Sequence, residues 1–212
     1  MRKTPLVEGE YYHIYNRGTD KRKVFLCEKD FQRFLTSMLE FNNVKPIGSI
    51  YENSYGKTKK TKPLVEFVAF CLNPNHYHFV LRQLSEKGIQ KFMQRLGNGY
   101  TKFFNEKYKR SGVLFQGKFK SAHLNSDEQL LFISAYVNLN YAVHQLGHRM
   151  SKSSWPEYMG EKPTTFCNKE IIMEQFKGRK EYENFAQDTI KDVLKNREEE
   201  DSSLEQISDD PK

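Results

Sequence analysis

Two periods of apolar residues run through the chain. Residues 64–72 (LVEFVAFCL) are almost continuously apolar, as in a central strand covered on both faces. Asn73-Pro74-Asn75 follows as a turn, and residues 76–82 (HYHFVLR) read as a second strand, which predicts an antiparallel hairpin. A short strand is expected over residues 11–16 (YYHIYN), ending at Arg17-Gly18 before a polar, basic turn over 18–23. In residues 29–42, Phe31, Phe34, Leu35, Met38 and Leu39 recur at three- and four-residue spacing and predict a helix. A longer helix is expected over 85–109, with Ile89, Phe92, Met93, Leu96, Tyr100, Phe103 and Phe104 on one side. Gly97 and Gly99 weaken its middle, so a kink or a division into two is open.

Residues 113–120 (VLFQGKFK) alternate, with Val113, Phe115 and Phe119 on one face and Gln116, Lys118 and Lys120 on the other. This predicts a half-buried strand with a basic outer face. Ser126 or Asp127 caps a helix that runs through Tyr136 to about Gln145 and ends at Gly147. A further helical stretch is expected over 169–197, and the last residues read as disordered. The order of elements predicts an α+β fold, an antiparallel sheet with helices packed on it and a helical C-terminal extension.

Charge sharpens this picture. The chain of 212 residues carries a formal net charge of +7, but residues 197–212 hold −5 of their own, leaving +12 on residues 1–196. A basic body with an acidic tail suits a polyanion such as nucleic acid, and it also suits plain solubility. The lysines at 57, 59, 60 and 62 belong to a basic loop over 52–63. No apolar run is long enough for a bilayer, and residues 1–10 show no secretory h-region. Cys27, Cys71 and Cys167 match no metal-binding or disulfide spacing. A cytoplasmic protein with reduced thiols is expected.

The chemistry-bearing stretch is Asn75-His76-Tyr77-His78-Phe79. Residues two apart on a strand share a face, so His76 and His78 stand side by side, a common arrangement for metal ligands. Alone, the pattern is weak, because solvated strand faces carry it too. Tyr136 and Asn140, at i and i+4 of a helix, add a phenol and an amide oxygen on one face. A metal held by His76, His78 and Asn140 would keep open positions for a phosphate oxygen, within reach of Tyr136 as nucleophile. No general base for that phenol stands out.

Five segments, in order, resemble REP-associated tyrosine transposases, in the insertion-sequence-200-like branch of the single-tyrosine HUH nucleases. They are Tyr12-His13-Ile14-Tyr15-Asn16-Arg17-Gly18, Cys71-Leu72-Asn73-Pro74-Asn75-His76-Tyr77-His78, Leu114-Phe115-Gln116-Gly117-Lys118-Phe119-Lys120, Tyr136-Val137-Asn138-Leu139-Asn140 and Ser153-Ser154-Trp155-Pro156-Glu157-Tyr158. The resemblance implies a ferredoxin-like fold and cleavage and rejoining of single-stranded DNA at hairpin-associated sites, through a 5′-phosphotyrosine on Tyr136. It implies a divalent metal, Mg2+ or Mn2+, held by His76, His78 and Asn140, and it places Asn16, Arg17, Lys118 and Lys120 near DNA. With the resemblance ending at residue 158, the expected division is a transposase domain (1–158), a helical extension (159–197) and an acidic, disordered tail (198–212). Monomer and homodimer both stay open.

Three positions depart from the family pattern. Asn73 stands where Met is frequent, which is expected to alter turn packing but no ligand. Tyr141 replaces a common Pro, which is expected to leave the helix straighter. Beyond residue 160 no counterpart is recognisable. The other readings are a non-catalytic nucleic-acid-binding module and a metal-dependent hydrolase that uses water. A tyrosine recombinase acting on duplex DNA is disfavoured, since no arginine–histidine cluster surrounds the tyrosine.

Overall fold

A computed structural model of the chain describes residues 5–47, 50, 62–147, 150–162 and 167–208. The lysines at 57, 59 and 60 lie outside the described residues. Five strands, β1 (Tyr11–Arg17), β2 (Val65–Asn73), β3 (His76–Gln83), β4 (Lys120–Leu124) and β5 (Lys152–Ser153), form one antiparallel sheet in the order β4-β1-β3-β2-β5. With α1 (Glu28–Glu40) between β1 and β2 and α2 (Gly88–Lys107) between β3 and β4, the first four strands make the β-α-β-β-α-β ferredoxin-like unit. β5 adds a short edge beside β2. The α+β expectation holds.

Both faces of the sheet are covered. On one, Phe31, Phe34 and Met38 of α1 and Phe92, Leu96 and Tyr100 of α2 pack against Ile14, Leu72, Tyr77, Phe79 and Leu81. On the other, Cys71 and Val80 meet α3 (Asp127–Asn138) and the final helix α7 (Arg179–Ser208), which buries Tyr182, Ala186 and Ile190. A register shift between Phe67 and Ala69 turns both Val68 and Ala69 to this second face. Strict alternation resumes from there, and because both faces are buried β2 reads as an unbroken apolar run.

Several expectations are corrected. α2 is one continuous helix, and it contains both Gly97 and Gly99; a Cβ on Gly99 would lie 2.6 Å from the Phe41 ring, which would have to move to admit it. The strand expected over 113–120 is a loop carrying an isolated bridge from Gly18 to Phe115, and β4 begins only at Lys120. Val113, expected inside, is 70% exposed. The amide of Gln116 is bonded to the Arg17 carbonyl at 2.8 Å and the amide of Thr19 to the Leu114 carbonyl at 3.0 Å. These bonds use the backbone that a regular ladder would need.

The helix expected to run to Gln145 divides at Leu139 (φ −108°, ψ 15°) into α3 and the short α4 (Asn140–Val143). The missing proline therefore does not keep it straight. Two further short helices, α5 (Trp155–Met159) and α6 (Glu170–Met173), precede α7. α7 continues through residues 198–208, where disorder was expected. Among the described residues no helix is long and apolar enough to cross a membrane.

Candidate active site

The hairpin register assembles the site. His78 pairs with Tyr15 of β1 on one side and Cys71 of β2 on the other, and His76 pairs with Arg17 and Asn73. Alternation then puts Tyr15, His76 and His78 on the sheet face that α3 covers, while Tyr77 and Phe79 enter the opposite core. The two imidazoles stand perpendicular, with ring centres 5.2 Å apart.

α3 carries Tyr136 over this face. Ser126 caps the helix by accepting from the Gln129 amide at 3.2 Å. The Tyr136 ring meets His78 edge-on at 5.7 Å. One residue past the break at Leu139, Asn140 is fully buried and its Oδ1 lies 3.1 Å from His76 Nε2. The four side chains expected to act together are thus gathered at one place.

The hydrogen bonds around His76 fix its tautomer. Nδ1 faces the Asn75 side-chain oxygen at 2.6 Å, an acceptor, so Nδ1 carries the proton. Nε2 is then a lone pair, and the Asn73 amide donates to it at 2.9 Å and to Asn140 Oδ1 at 2.7 Å. Two acceptors 3.1 Å apart, bridged by one NH2 group, form a cradle for a positive charge. The spacing is that of two neighbouring ligands on an ion with bonds of about 2.1 Å. A divalent ion fits this donor set once the Asn73 amide releases His76. Among the described residues no cluster of three His, Cys, Asp or Glu is arranged to hold a metal, so an ion here would depend on the Asn140 amide. Among the described residues the buried Asn140 amide nitrogen has no partner. Asn73 was expected to change turn packing alone; its side chain touches two of the expected ligands instead.

The expected site set omitted two further histidines. His13 Nε2 lies 2.8 Å from His78 Nδ1, with the rings stacked at 18°, and His144 packs against His76 with ring centres 4.7 Å apart. Burial pushes His13 and His76 down to about 4 and His78 well below its ordinary value. All three rings are therefore neutral near pH 7, with lone pairs available. The signal for His13 was its place in β1, two residues before Tyr15, but only the register Tyr15↔His78 brings it beside His78.

His76, His78, His144 and Tyr136 line a cleft of about 550 Å³ together with Asn16, Arg17, Lys21, Lys120 and Arg197. Arg17 is held by a hydrogen bond to the Gln116 side chain. Arg197, from α7, adds its charge to those opposing protonation of His76, His78 and His144, so the C-terminal helix contributes to the cleft wall. Lys118 lies elsewhere, on a second groove across Asn16.

The family described as "Transposase IS200 like" matches residues 7–140. No curated protein matches. Among solved structures, a REP-associated tyrosine transposase bound to a REP hairpin is similar at 12% identity and a TM-score of 0.46, over 68% of this chain and 73% of that one.

Proposed function

This chain belongs to the IS200-like transposase family, and from that membership we propose that it cuts and rejoins single-stranded DNA through Tyr136. The family is one of DNA-cleaving enzymes; the residue roles below are our reading of this site. The observation that carries it is the Tyr136 ring edge-on to His78, in a cleft that His76 also lines, with the Asn140 oxygen 3.1 Å from His76 Nε2.

In this reading Arg17, Lys21, Lys120 and Arg197 hold a strand by its phosphates, and Asn16 sits at the cleft edge. The Tyr136 oxygen attacks the phosphorus, and the bond from phosphorus to the 3′ oxygen breaks. The phenolic proton is lost and the 3′ oxygen gains one, leaving a 5′-phosphotyrosine and a free 3′-hydroxyl. The covalent link retains the energy of the broken phosphodiester, so attack by a 3′-hydroxyl reverses the step. His76, His78 and Asn140 would hold a divalent ion, which supplies Lewis-acid stabilisation of charge on the phosphoryl oxygens. Two imidazole donors suit manganese at least as well as magnesium. The five ordered motifs support single-stranded DNA bearing a hairpin as the substrate class.

The test uses single-stranded oligonucleotides with a randomised segment and a 3′ label, incubated with the protein and Mn2+ and run on a denaturing gel. The wild-type protein should retain label covalently. Tyr136→Phe should lose the adduct and the nicking while still binding the oligonucleotides. Undiminished nicking in that variant, or turnover by the wild type without any adduct, overturns the proposal.

A further inference from the structure

A second groove, of about 1060 Å³, lies on the opposite side of Asn16 from the catalytic cleft, between α2 and the 113–119 loop. Its floor is one stripe of α2. Gln90, Gln94 and Asn98 follow at four-residue steps, so their amides share a face of the helix. Among the described residues no carboxylate lines the groove, and its charges are those of Lys102 and Lys118. At the rim stands Val113, an exposed apolar residue beside Gly117 and Lys118.

Two details mark the groove as built for a ligand. Gln90 lines the groove, and its Oε1 is buried with no hydrogen-bond donor among the described residues. Gly97 sits in the interior of α2, where glycine costs stability relative to alanine, yet a Cβ there would meet nothing within 4 Å. Packing does not require that glycine, unlike Gly99 against Phe41. What the absence of a side chain at 97 does is keep the floor of the groove open between Gln94 and Asn98.

The groove and the cleft share Asn16. Its Nδ2 donates to the Gly117 carbonyl at 3.3 Å and its Oδ1 accepts from the Arg17 amide at 2.8 Å, making a low ridge between the two. A DNA strand leaving the cleft past Arg17 can cross Asn16 and enter the groove along Lys118.

We propose that this groove binds unpaired nucleobases next to the scissile phosphate and reads them with the side-chain amides of Gln90, Gln94 and Asn98. The proposal rests on the strand-cutting reading and specifies where that reaction's substrate is recognised. Side-chain amides both donate and accept, so they match base edges in pairs of hydrogen bonds. The Gln90 oxygen is buried, so it meets a donor such as the exocyclic amine of adenine or cytosine once its side chain turns into the groove. Asn105 is not part of the reader, because it donates to the Gly112 carbonyl at 2.9 Å and accepts from Arg110 at 2.6 Å, holding the loop wall.

The test selects bound sequences from fluorescein-labelled single-stranded 40-mers carrying a randomised segment, using the full chain at fixed salt. Wild type, Gly97→Leu and the double variant Gln94→Ala/Asn98→Ala are compared by sequencing and by affinity for the enriched sequence. Leucine at 97 enters open space and favours the helix, and the double variant changes only exposed residues, so both keep the fold. Wild type should enrich a short motif, and each variant should lose that enrichment with at least about fivefold weaker binding. Wild type enriching no motif, or the variants enriching the same motif at equal affinity, overturns the proposal. The Tyr136 adduct is scored on the same pool. Adduct formation with unchanged enrichment defeats the groove alone, and lost enrichment without any wild-type adduct defeats the cutting reading alone.

Discussion

His13 Nε2 and His78 Nδ1 face each other at 2.8 Å inside the sheet, two buried neutral rings sharing one proton between two nitrogens. Because one of the pair must donate, the bond ties the tautomer of His78 to that of His13. For His78 to offer Nε2 to an ion, its Nδ1 carries the hydrogen and His13 accepts it. This is the outer partner that metal-bound imidazoles require. His13→Ala should weaken Mn2+ binding by about 10- to 100-fold, as titration calorimetry would show. His13→Gln should recover much of the loss, since its amide oxygen can accept the same proton, and His13→Phe should not. Equal Mn2+ affinity in all three variants would mean that His13 only fills space.

In the proposed reading, Asn73 and a divalent ion compete for the same lone pairs. Its amide bridges His76 Nε2 and Asn140 Oδ1, while its oxygen accepts from Ser151 at 2.8 Å. Asn73→Leu strands these groups in the metal-free protein and should cost about 1–3 kcal/mol of stability in chelator. The same change removes the competitor, so Mn2+ should bind more tightly and raise the melting temperature more than in the wild type. Thermal melts with and without Mn2+ test both signs. A smaller Mn2+-induced shift in the variant would show that Asn73 assists the ion instead of excluding it.

The fold was legible wherever periodicity carried it: the apolar stripe of α1, the continuous run of β2 and the turn at Asn73-Pro74-Asn75 all lie where the pattern put them. Alternation misled at 113–119, because that loop bonds its backbone to residues 17 and 19 and leaves Val113 in solvent. Of the site, His76, His78, Tyr136 and Asn140 were readable from local spacing and the resemblance to known transposases. His13, Asn73 and Arg197 were not, because each reaches the site through strand register or helix packing. Local spacing contains neither. Lys118 shows the converse: it shares a motif with Lys120, but it follows the left-handed Gly117 (φ +64°) in the loop, before β4 begins, and the two lysines line different grooves.

Arg197 gives the C-terminal helix a measurable part. Its side chain lines the cleft from α7, a helix anchored by Tyr182, Ala186 and Ile190 well away from it. If it contacts a phosphate, Arg197→Ala should weaken single-stranded DNA binding similarly for all sequences and lower the slope of log affinity against log salt by about 0.7. Circular dichroism should be unchanged, since the residue lies outside the buried core. An unaltered salt slope would place Arg197 off the path of the strand.

Stability should depend on Asp30 and on pH in a defined direction. Its side chain is fully buried at the start of α1, where Oδ2 accepts from the Leu26 amide at 2.8 Å, the Cys27 amide at 3.1 Å and the Tyr108 hydroxyl at 2.7 Å. Oδ1 takes Lys107 at 2.5 Å. Burial, the largest influence, raises the carboxyl, but Lys107, Tyr108 and the two amides together outweigh it and hold the group below its ordinary value. A depressed carboxyl stabilises the fold above the unfolded-state value and loses that contribution as pH falls through the folded one. Wild-type stability should therefore decline below about pH 4. Asp30→Asn should cost about 2–3 kcal/mol at pH 7, because Lys107 loses its charged partner and the Leu26 and Cys27 amides lose a charged acceptor. That difference should shrink toward pH 2. Denaturant titrations at several pH values would show it, and a gap that stays constant across the range would mean the cost is one of packing and not of charge.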